Sequence, residues 1–379
     1  MSKTKKIILV ANSTWNIYNF RLNIIRKLIS QGHQLVVIAP VDEYLEYKEN
    51  FPDVKHVPLK TMARDSTNPI KDILLFVELY RKYKWLKPDL ILHYTNKPNI
   101  YGGLAARFLK IPSVAFVTGL GYSFIHKGFL NFIVKKLYRV SSKTHKKIIF
   151  ENQDDLKLFV DDKIVNKEKA ISIKGCGVDT SYYIPFPNGE VKENITFTFI
   201  GRLLYDKGII EFINAAKITK AKYPKSRYEI IGEFDADNPS NIDREFLVNW
   251  VDSGIIDYKG FVRDIRPLLK YSDCVVLPSY REGMPRTVLE GMSMGKAIIT
   301  SNVPGCRETV VENINGYIVP VKNAKALADA FEKLITLSYE ERKKMGAAGR
   351  KMAEEQFDDK LIADNIATIL KPIIDGSES

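Results

Sequence analysis

DCVVLPSYREGMPRTVLEGMSMGKAII, residues Asp273–Ile299, places Glu282 and Glu290 eight positions apart across a strand, a loop and a helix. The apolar run Cys274–Leu277 reads as a buried strand, and Ala297–Ile299 as the next one. Pro285 suits a first helical position, because its missing N–H and fixed φ cost a helix nothing there. Glu282 therefore falls in the loop beyond a strand's carboxyl end and Glu290 inside the following helix, with Gly283, Met284 and Pro285 forming the turn between them. A helix N-terminus presents unpaired N–H groups and partial positive charge, which suits anionic, oxygen-rich ligands. Two carboxylates beside it can accept hydrogen bonds from hydroxyls. The chemistry that uses both is a sugar nucleotide, with phosphates on the amides and sugar and ribose hydroxyls on the glutamates. Taken alone, the pair is far more readily two solvated glutamates spaced by chance, so the rest of the chain must decide.

At 379 residues the chain can form two domains with separate cores. A 45% apolar and 27% charged composition is that of a soluble globular protein. No apolar run approaches the roughly 20 residues of a membrane span. The N-terminal MSKTKKIILVANS lacks a signal-peptide pattern and reads as a first buried strand. Cys176, Cys274 and Cys306 show no metal spacing and are odd in number, so a cytosolic, disulfide-free chain is expected. The net charge of +12 belongs to residues 1–190, which carry +13 against −1 for the remainder. Between Leu90 and Phe150 there is no carboxylate at all. Such a block implies an anionic partner: nucleic acid, an acidic membrane surface or a phosphorylated substrate.

The first half alternates strand and helix signals. Strands are expected at Lys6–Ala11, Gln34–Pro40, Asp89–Tyr94, Ser113–Thr118, Lys147–Glu151 and Ala170–Ile173. Helices are expected at Tyr18–Gln31, Pro69–Tyr83, Ile100–Leu109 and Gly128–Thr144. In Pro69–Tyr83 the residues Ile70, Ile73, Leu74 and Val77 follow the i, i+3, i+4, i+7 spacing of a core-facing stripe, with Glu78 at its edge. The second half restarts with strands at Ile195–Ile200, Tyr228–Ile231, Ile256–Tyr258 and Cys274–Leu277, a helix at Ile209–Ala221, and a helical tail from Lys343 to Ile374. Repeated βα alternation with near-continuous apolar strands predicts parallel sheets covered on both faces. The expected architecture is α/β, two Rossmann-like doubly wound domains facing across a cleft. Ser181–Asn194 reads as the linker, giving domains 1–185 and 186–379, with the final helix able to pack back on the first.

A second cluster opens the second domain: Gly201, Arg202 and Lys207 in IGRLLYDKG, just before the helix at Ile209. Arg binds phosphate through a planar fork and Lys as a point charge. Two cations beside a helix start suit a diphosphate leaving group, and each preorganised donor can supply about 3–4 kcal/mol of transition-state stabilisation. GRLLYDKG followed by LPSYREGMPRTVLE resembles the retaining, two-domain GT-B glycosyltransferases of family 4, which carry an E-x7-E motif, and the resemblance runs along essentially the whole chain. It implies that Glu282 and the backbone of Gly283–Pro285 hold the donor sugar, with Thr287 beside them, and that Glu290 holds the ribose. It also implies that Arg202 and Lys207 hold the diphosphate and that Tyr258–Arg263 lines the nucleobase pocket.

NIYNFR (Asn16–Arg21), TNKPNIYG (Thr95–Gly102) and VTGLG (Val117–Gly121) resemble the subgroup acting on polyprenyl-diphosphate-linked sugars. The N-acetylgalactosaminyltransferases that extend undecaprenyl-diphosphate-bacillosamine belong to that subgroup. The acceptor side implied is Asn16, Lys97, Thr118 and Gly119. Many family members carry a glycine pair in the first loop and a histidine near position 118. This chain has Asn12-Ser13-Thr14 and Thr118-Gly119 instead, so no catalytic histidine is assigned and His126 reads as structural. Gly128–Lys147 combines Phe129, Leu130, Phe132, Ile133 and Leu137 with six basic residues, a pattern able to lie on an anionic leaflet or equally to face a core. Asp235-Ala236-Asp237 has the D-x-D form of metal-dependent glycosyltransferases of another fold, but its polar context reads as loop. No cofactor or metal is expected beyond a UDP-sugar co-substrate, and no nucleic acid. The expected function is retaining transfer of a hexosamine or hexose, an N-acetylhexosamine foremost, from a UDP-sugar to a lipid-diphosphate-linked sugar at the cytoplasmic membrane face. The rival readings are a sugar-nucleotide 2-epimerase of the same architecture and a basic nucleic-acid-binding protein.

Overall fold

The computed structural model describes residues 4–62, 68–120, 124, 128–186, 194–236 and 238–377. The chain divides into two compact units, Met1–Gly177 with Asp359–Ser379, and Val178–Asp358. In the first, β1 (Lys6–Val10), β2 (Gln34–Ala39), β3 (Lys55–Pro58), β4 (Leu90–Tyr94), β5 (Ser113–Val117), β6 (Lys147–Phe150) and β7 (Ala170–Ser172) form one sheet ordered β3-β2-β1-β4-β5-β6-β7. In the second, β8 (Thr196–Ile200), β9 (Arg227–Ile231), β10 (Asp257–Tyr258), β11 (Cys274–Leu277), β12 (Ala297–Ser301) and β13 (Gly316–Val319) form a sheet ordered β10-β9-β8-β11-β12-β13. All pairings between these strands are parallel, as continuous apolar strands require. β1, β5, β8, β11 and β12 are buried along almost their whole length. In each sheet the order reverses beside the first strand of its unit, and loops at the carboxyl ends there are where such sheets bind ligands.

Four expectations are corrected. The helix expected over Tyr18–Gln31 is two helices, Thr14–Phe20 and Leu22–Ser30, broken at Arg21 (φ −125°, ψ 0°). At this break the Arg21 guanidinium lies buried, 4.2 Å from the Tyr94 ring centroid and 3.8 Å from Glu151 Oε1. Ile100–Leu109 is a π-turn, Pro98–Gly102, followed by the helix Gly103–Phe108. The helical tail is two helices, Tyr339–Gln356 and Asp359–Asp375, interrupted where the Val178 N–H donates to Phe357 O (2.8 Å). The last of these puts Ile362, Ile366, Leu370 and Ile373 into the first unit's core beside Ile24, Ile25 and Leu28.

The fourth correction concerns the helix Pro69–Leu86. Its buried face is Leu75, Leu79, Tyr83 and Leu86, while Ile70, Ile73 and Leu74 are exposed. Glu78 leaves the edge of a stripe to accept from the Lys60 and Thr61 N–H groups (3.1 and 2.8 Å) and the Thr61 hydroxyl, and those contacts fix the helix rotation. The described part of the expected linker, Ser181–Phe186, is tied to the second unit: Tyr183 O accepts from Arg350 Nη1 (2.7 Å) and the Ser293 hydroxyl (2.6 Å).

The helix rotation gives a direct test. Leu79→Ala should destabilise the protein by about 2–5 kcal/mol, the usual cost of emptying a core leucine site. Leu74→Ala should stay within about 0.5 kcal/mol of wild type. Urea midpoints of both variants measure this, and the reverse ranking would restore the outward stripe to the core.

Candidate active site

The second unit gathers its candidate residues from three loops at the carboxyl ends of β8, β11 and β12. β8 runs into Gly201 and Arg202, then a 3-10 turn Tyr205–Lys207, then Gly208 and the helix Ile209–Lys222. Gly208 has φ +74°, and a Cβ there would stand 2.1 Å from Pro278 O. Only glycine allows this approach. The contact lets Asp206 O accept from the Tyr280 N–H (2.8 Å) and the Ser279 hydroxyl (3.0 Å). From the other side Gly305 (φ +80°) would place a Cβ 2.3 Å from Gly283 O, and Pro304 O accepts from the Glu282 N–H (3.3 Å). The loop carrying Glu282 is thus pressed between its neighbours by backbone contacts.

These contacts bring Lys207 onto Glu282, with Nζ 2.5 Å from Oε1. Arg202 makes its own ion pair, with Asp235 of the DAD loop. That loop is held parallel to the first: the Leu203 N–H donates to Glu233 O (2.9 Å), and the Asp235 N–H to Asn241 Oδ1 (3.0 Å). The pairing of Asp235, read from sequence only as part of a polar loop, with Arg202 is not legible there, because 33 residues separate the two and a polar loop gives no pairing signal. Asp237 lies outside the described residues.

Pro285 is the N-cap and the helix runs Arg286–Ser293, one residue later than expected; no side chain caps it. Gly283, Met284 and Pro285 are buried and Thr287 is half-buried. Glu290 is buried and accepts from Arg286 Nε (2.8 Å), with the Tyr183 hydroxyl as a further partner. Burial pushes its carboxyl upward, against the opposing pull of Arg286 and Tyr183. Arg263 is exposed in the loop after β10, near Asp264, which grips Arg266 through both oxygens (2.9 and 2.8 Å).

In the first unit the structure places Asn16 buried, its Oδ1 accepting from Arg21 Nε (3.4 Å). Lys97 Nζ donates to Asp72 Oδ1 (2.8 Å), and the Tyr101 hydroxyl donates to the second oxygen of that carboxylate (2.7 Å). Thr118 and Gly119 are half-buried beyond β5. At the end of β4, Thr95 adopts φ +73°, and the buried oxygens of Tyr94, Thr95 and Asn99 find no hydrogen-bond partner among the described residues. Strain and unpaired polar atoms concentrate where ligands bind. His126 and Gly121 lie outside the described residues.

Two parallel doubly wound sheets, with cations and Glu282 at carboxyl-end loops and Glu290 in the helix that follows, have the architecture of the GT-B glycosyltransferases. Residues 183–352 match the family described as Glycosyl transferases group 1, and residues 6–152 match Glycosyl transferase 4-like. The chain is 32% identical over 380 residues to the N,N'-diacetylbacillosaminyl-diphospho-undecaprenol alpha-1,3-N-acetylgalactosaminyltransferase of Campylobacter jejuni, covering 95% of this chain and 96% of that one. It is 28% identical to an Escherichia coli UDP-Gal:alpha-D-GlcNAc-diphosphoundecaprenol alpha-1,3-galactosyltransferase, over 77% of this chain and 76% of that one. The fold matches HepE from Anabaena, solved with UDP and glucose, with a TM-score of 0.78 at 17% identity over 97% of this chain and 99% of that one. The chain belongs to the group 1, family 4-like glycosyltransferases.

The Glu290 carboxyl gives a pH test. Its folded-state affinity for a proton is above that of the unfolded chain, so the native state binds the extra proton and stability falls as pH rises from about 4.5 through the folded value. Glu290→Gln removes this slope. The difference in unfolding free energy, wild type minus variant, should therefore decline with rising pH across that window, and a flat difference would place Glu290 in water.

Proposed function

We propose that this glycosyltransferase moves a sugar, an N-acetylhexosamine, from a UDP-sugar to a polyprenyl-diphosphate-linked sugar with retention of configuration. The observation that carries the donor side is the convergence of Lys207 on Glu282 through the Gly208–Pro278 contact. A diphosphate between Lys207 and Arg202 would replace the carboxylates that now pair with them. That exchange frees Glu282 to accept hydrogen bonds from the donor sugar, with the Gly283–Pro285 backbone and Thr287 beside it. Glu290, held by Arg286 and Tyr183, takes the ribose hydroxyls, and the Arg263 segment the uracil. The UDP-Gal donor of the Escherichia relative supports the UDP-sugar, and the undecaprenol-diphosphate-linked acceptors of both the Campylobacter and Escherichia relatives support the lipid-linked acceptor.

On the acceptor side Lys97 takes the lipid diphosphate, with Asn16, Thr118 and Gly119 lining the sugar. Among the described residues no helix is long and apolar enough to cross a membrane. The helix Phe129–Ser142, with Phe129 and Phe132 exposed and Lys136 and Arg139 on it, supports peripheral attachment to an anionic cytoplasmic leaflet. The reaction requires no protein nucleophile and no metal. The bond from the donor's anomeric carbon to the diphosphate breaks, the acceptor oxygen bonds to that carbon from the same face, and the acceptor proton passes to the departing phosphate oxygen. Arg202 and Lys207 stabilise the charge that grows on that phosphate.

Incubation with a panel of UDP-sugars and a polyprenyl-diphosphate sugar, followed by product and anomer analysis, tests the reading. Turnover with a GDP- or ADP-sugar and with no UDP-sugar would overturn it. Arg202→Ala should lower kcat about 100-fold or more, the loss typical of one preorganised oxyanion donor. Glu290→Ala should act chiefly on the donor KM, and Lys97→Ala on the acceptor KM. Unchanged kinetics in all three would remove the site assignments.

A further inference from the structure

The helix Pro69–Leu86 carries two apolar stripes. The inward one belongs to the core of the first unit. The outward one is exposed, with Ile70 at 68%, Ile73 at 62% and Leu74 at 51%. At 100° per residue this outward line continues through Arg81, Lys84 and Trp85, all exposed. The helix has two carboxylates: Asp72 lies on the far side from that face, and Glu78 lies at its edge beside Trp85 but is engaged by the chain next to it. Asp72 holds Lys97 and Tyr101, and Glu78 holds the Lys60–Thr61 backbone. What remains outward is an apolar half followed by a basic half with a tryptophan. This is the composition of a helix that lies in a lipid interface, where acyl chains take the apolar part and headgroups the cations and indole.

The position of this face gives it a role. Asp72 ties the helix to the Lys97 turn from one side. From the other side the Tyr138 hydroxyl, on the helix Phe129–Ser142, donates to Asn96 Oδ1 (2.6 Å). That second helix leaves Phe129 and Phe132 exposed. Two helices with exposed apolar residues therefore flank one turn, the turn assigned above to the acceptor diphosphate. A protein partner recognising this patch would have to supply carboxylates opposite Arg81 and Lys84 beside an apolar groove. An anionic leaflet offers both features without a specific shape, and the carboxylate-free stretch from Leu90 to Phe150 adds to its attraction.

We propose that the outward face of Pro69–Leu86 docks on an anionic lipid bilayer, with Ile70, Ile73 and Leu74 at the acyl boundary and Arg81, Lys84 and Trp85 among the headgroups. The functional meaning rests on the lipid-linked acceptor assigned above, because docking carries the Lys97 turn to the depth where a lipid diphosphate lies. The test is co-sedimentation with vesicles of phosphatidylglycerol and phosphatidylethanolamine. It compares wild type, the triple variant Ile70→Gln/Ile73→Gln/Leu74→Gln, and the double variant Phe129→Gln/Phe132→Gln. The triple variant should partition about tenfold less than wild type or worse, while keeping wild-type melting and wild-type turnover on a detergent-dispersed acceptor. In a separate Leu74→Trp variant, added vesicles should shift the tryptophan emission to the blue.

Wild-type partition by the triple variant overturns the proposal, as does an unmoved Leu74→Trp emission. Loss of partition in the double variant alone leaves attachment to the other helix and likewise overturns it. A wild-type protein that self-associates through this face, shown by a monomeric triple variant in solution, assigns the face to a second copy and overturns it. If no vesicle partition occurs but a detergent-dispersed lipid acceptor is glycosylated, docking falls and the acceptor assignment stands. If partition depends on the triple site but no lipid-linked sugar is accepted, docking stands and the acceptor assignment falls.

Discussion

The approach of Gly208 to the Pro278 carbonyl is the contact on which the second unit's site depends. It is a backbone contact, so no side-chain adjustment can replace it, and any Cβ at this position would collide with the oxygen. Because the two loops touch there, Asp206 O can accept from both Ser279 and Tyr280, and Lys207 falls within reach of Glu282, 75 residues away in sequence. The third loop closes the arrangement through Gly305 against Gly283. Glu282 is thus positioned by rigid main chain on both flanks, and preorganisation of this kind is what electrostatic catalysis requires.

Charge pairing is the second organising constraint. Lys207, Arg202 and Lys97 are each matched with a carboxylate: Glu282, Asp235 and Asp72. All three pairs are partly shielded from water, so each holds its cation in one place rather than leaving a long side chain to wander. Such pairs contribute little to stability, because desolvation offsets much of the attraction. Their value lies in geometry, since an anionic ligand arriving at any of them meets a cation already oriented. Arg21, sealed between Tyr94 and Glu151, is the opposite case: it is spent on the architecture of the first unit.

The first unit holds the Asn96–Lys97 turn from beneath with a buried polar network. His145 Nε2 donates to Asn99 O (2.8 Å) and its Nδ1 accepts from the Ser113 hydroxyl (2.9 Å), while the Tyr83 hydroxyl bonds His93 Nε2 (3.0 Å). Burial pushes the His145 imidazole down to about 4 and His93 well below its usual range, so both are neutral at physiological pH. Neutral imidazoles cost far less to bury than charged ones and can serve as fixed donor and acceptor. The π-turn at Pro98–Gly102 interrupts regular helix pairing here, which puts Asn96 and Lys97 at the outer end of a rigid support.

The sequence by itself determined the parallel architecture and the family, because both are written in short-range pattern. Apolar strands such as Cys274–Leu277 can only be buried on both faces, and the loop motifs around Arg202 and Glu282 lie within a few residues of the strand ends that position them. It also showed where the cations and glutamates are. Tertiary structure alone decided how they pair and which way helices face. Asp235 meets Arg202, and Asp72 meets Lys97, only after strands distant in the chain have been placed side by side. Helical periodicity in Pro69–Leu86 allowed two apolar faces, Leu75–Leu79–Tyr83 and Ile70–Ile73–Leu74, and local pattern could not rank them. The choice came from Glu78 and Asp72, whose partners lie 17 to 29 residues away, so it was made by contacts that no window of sequence contains.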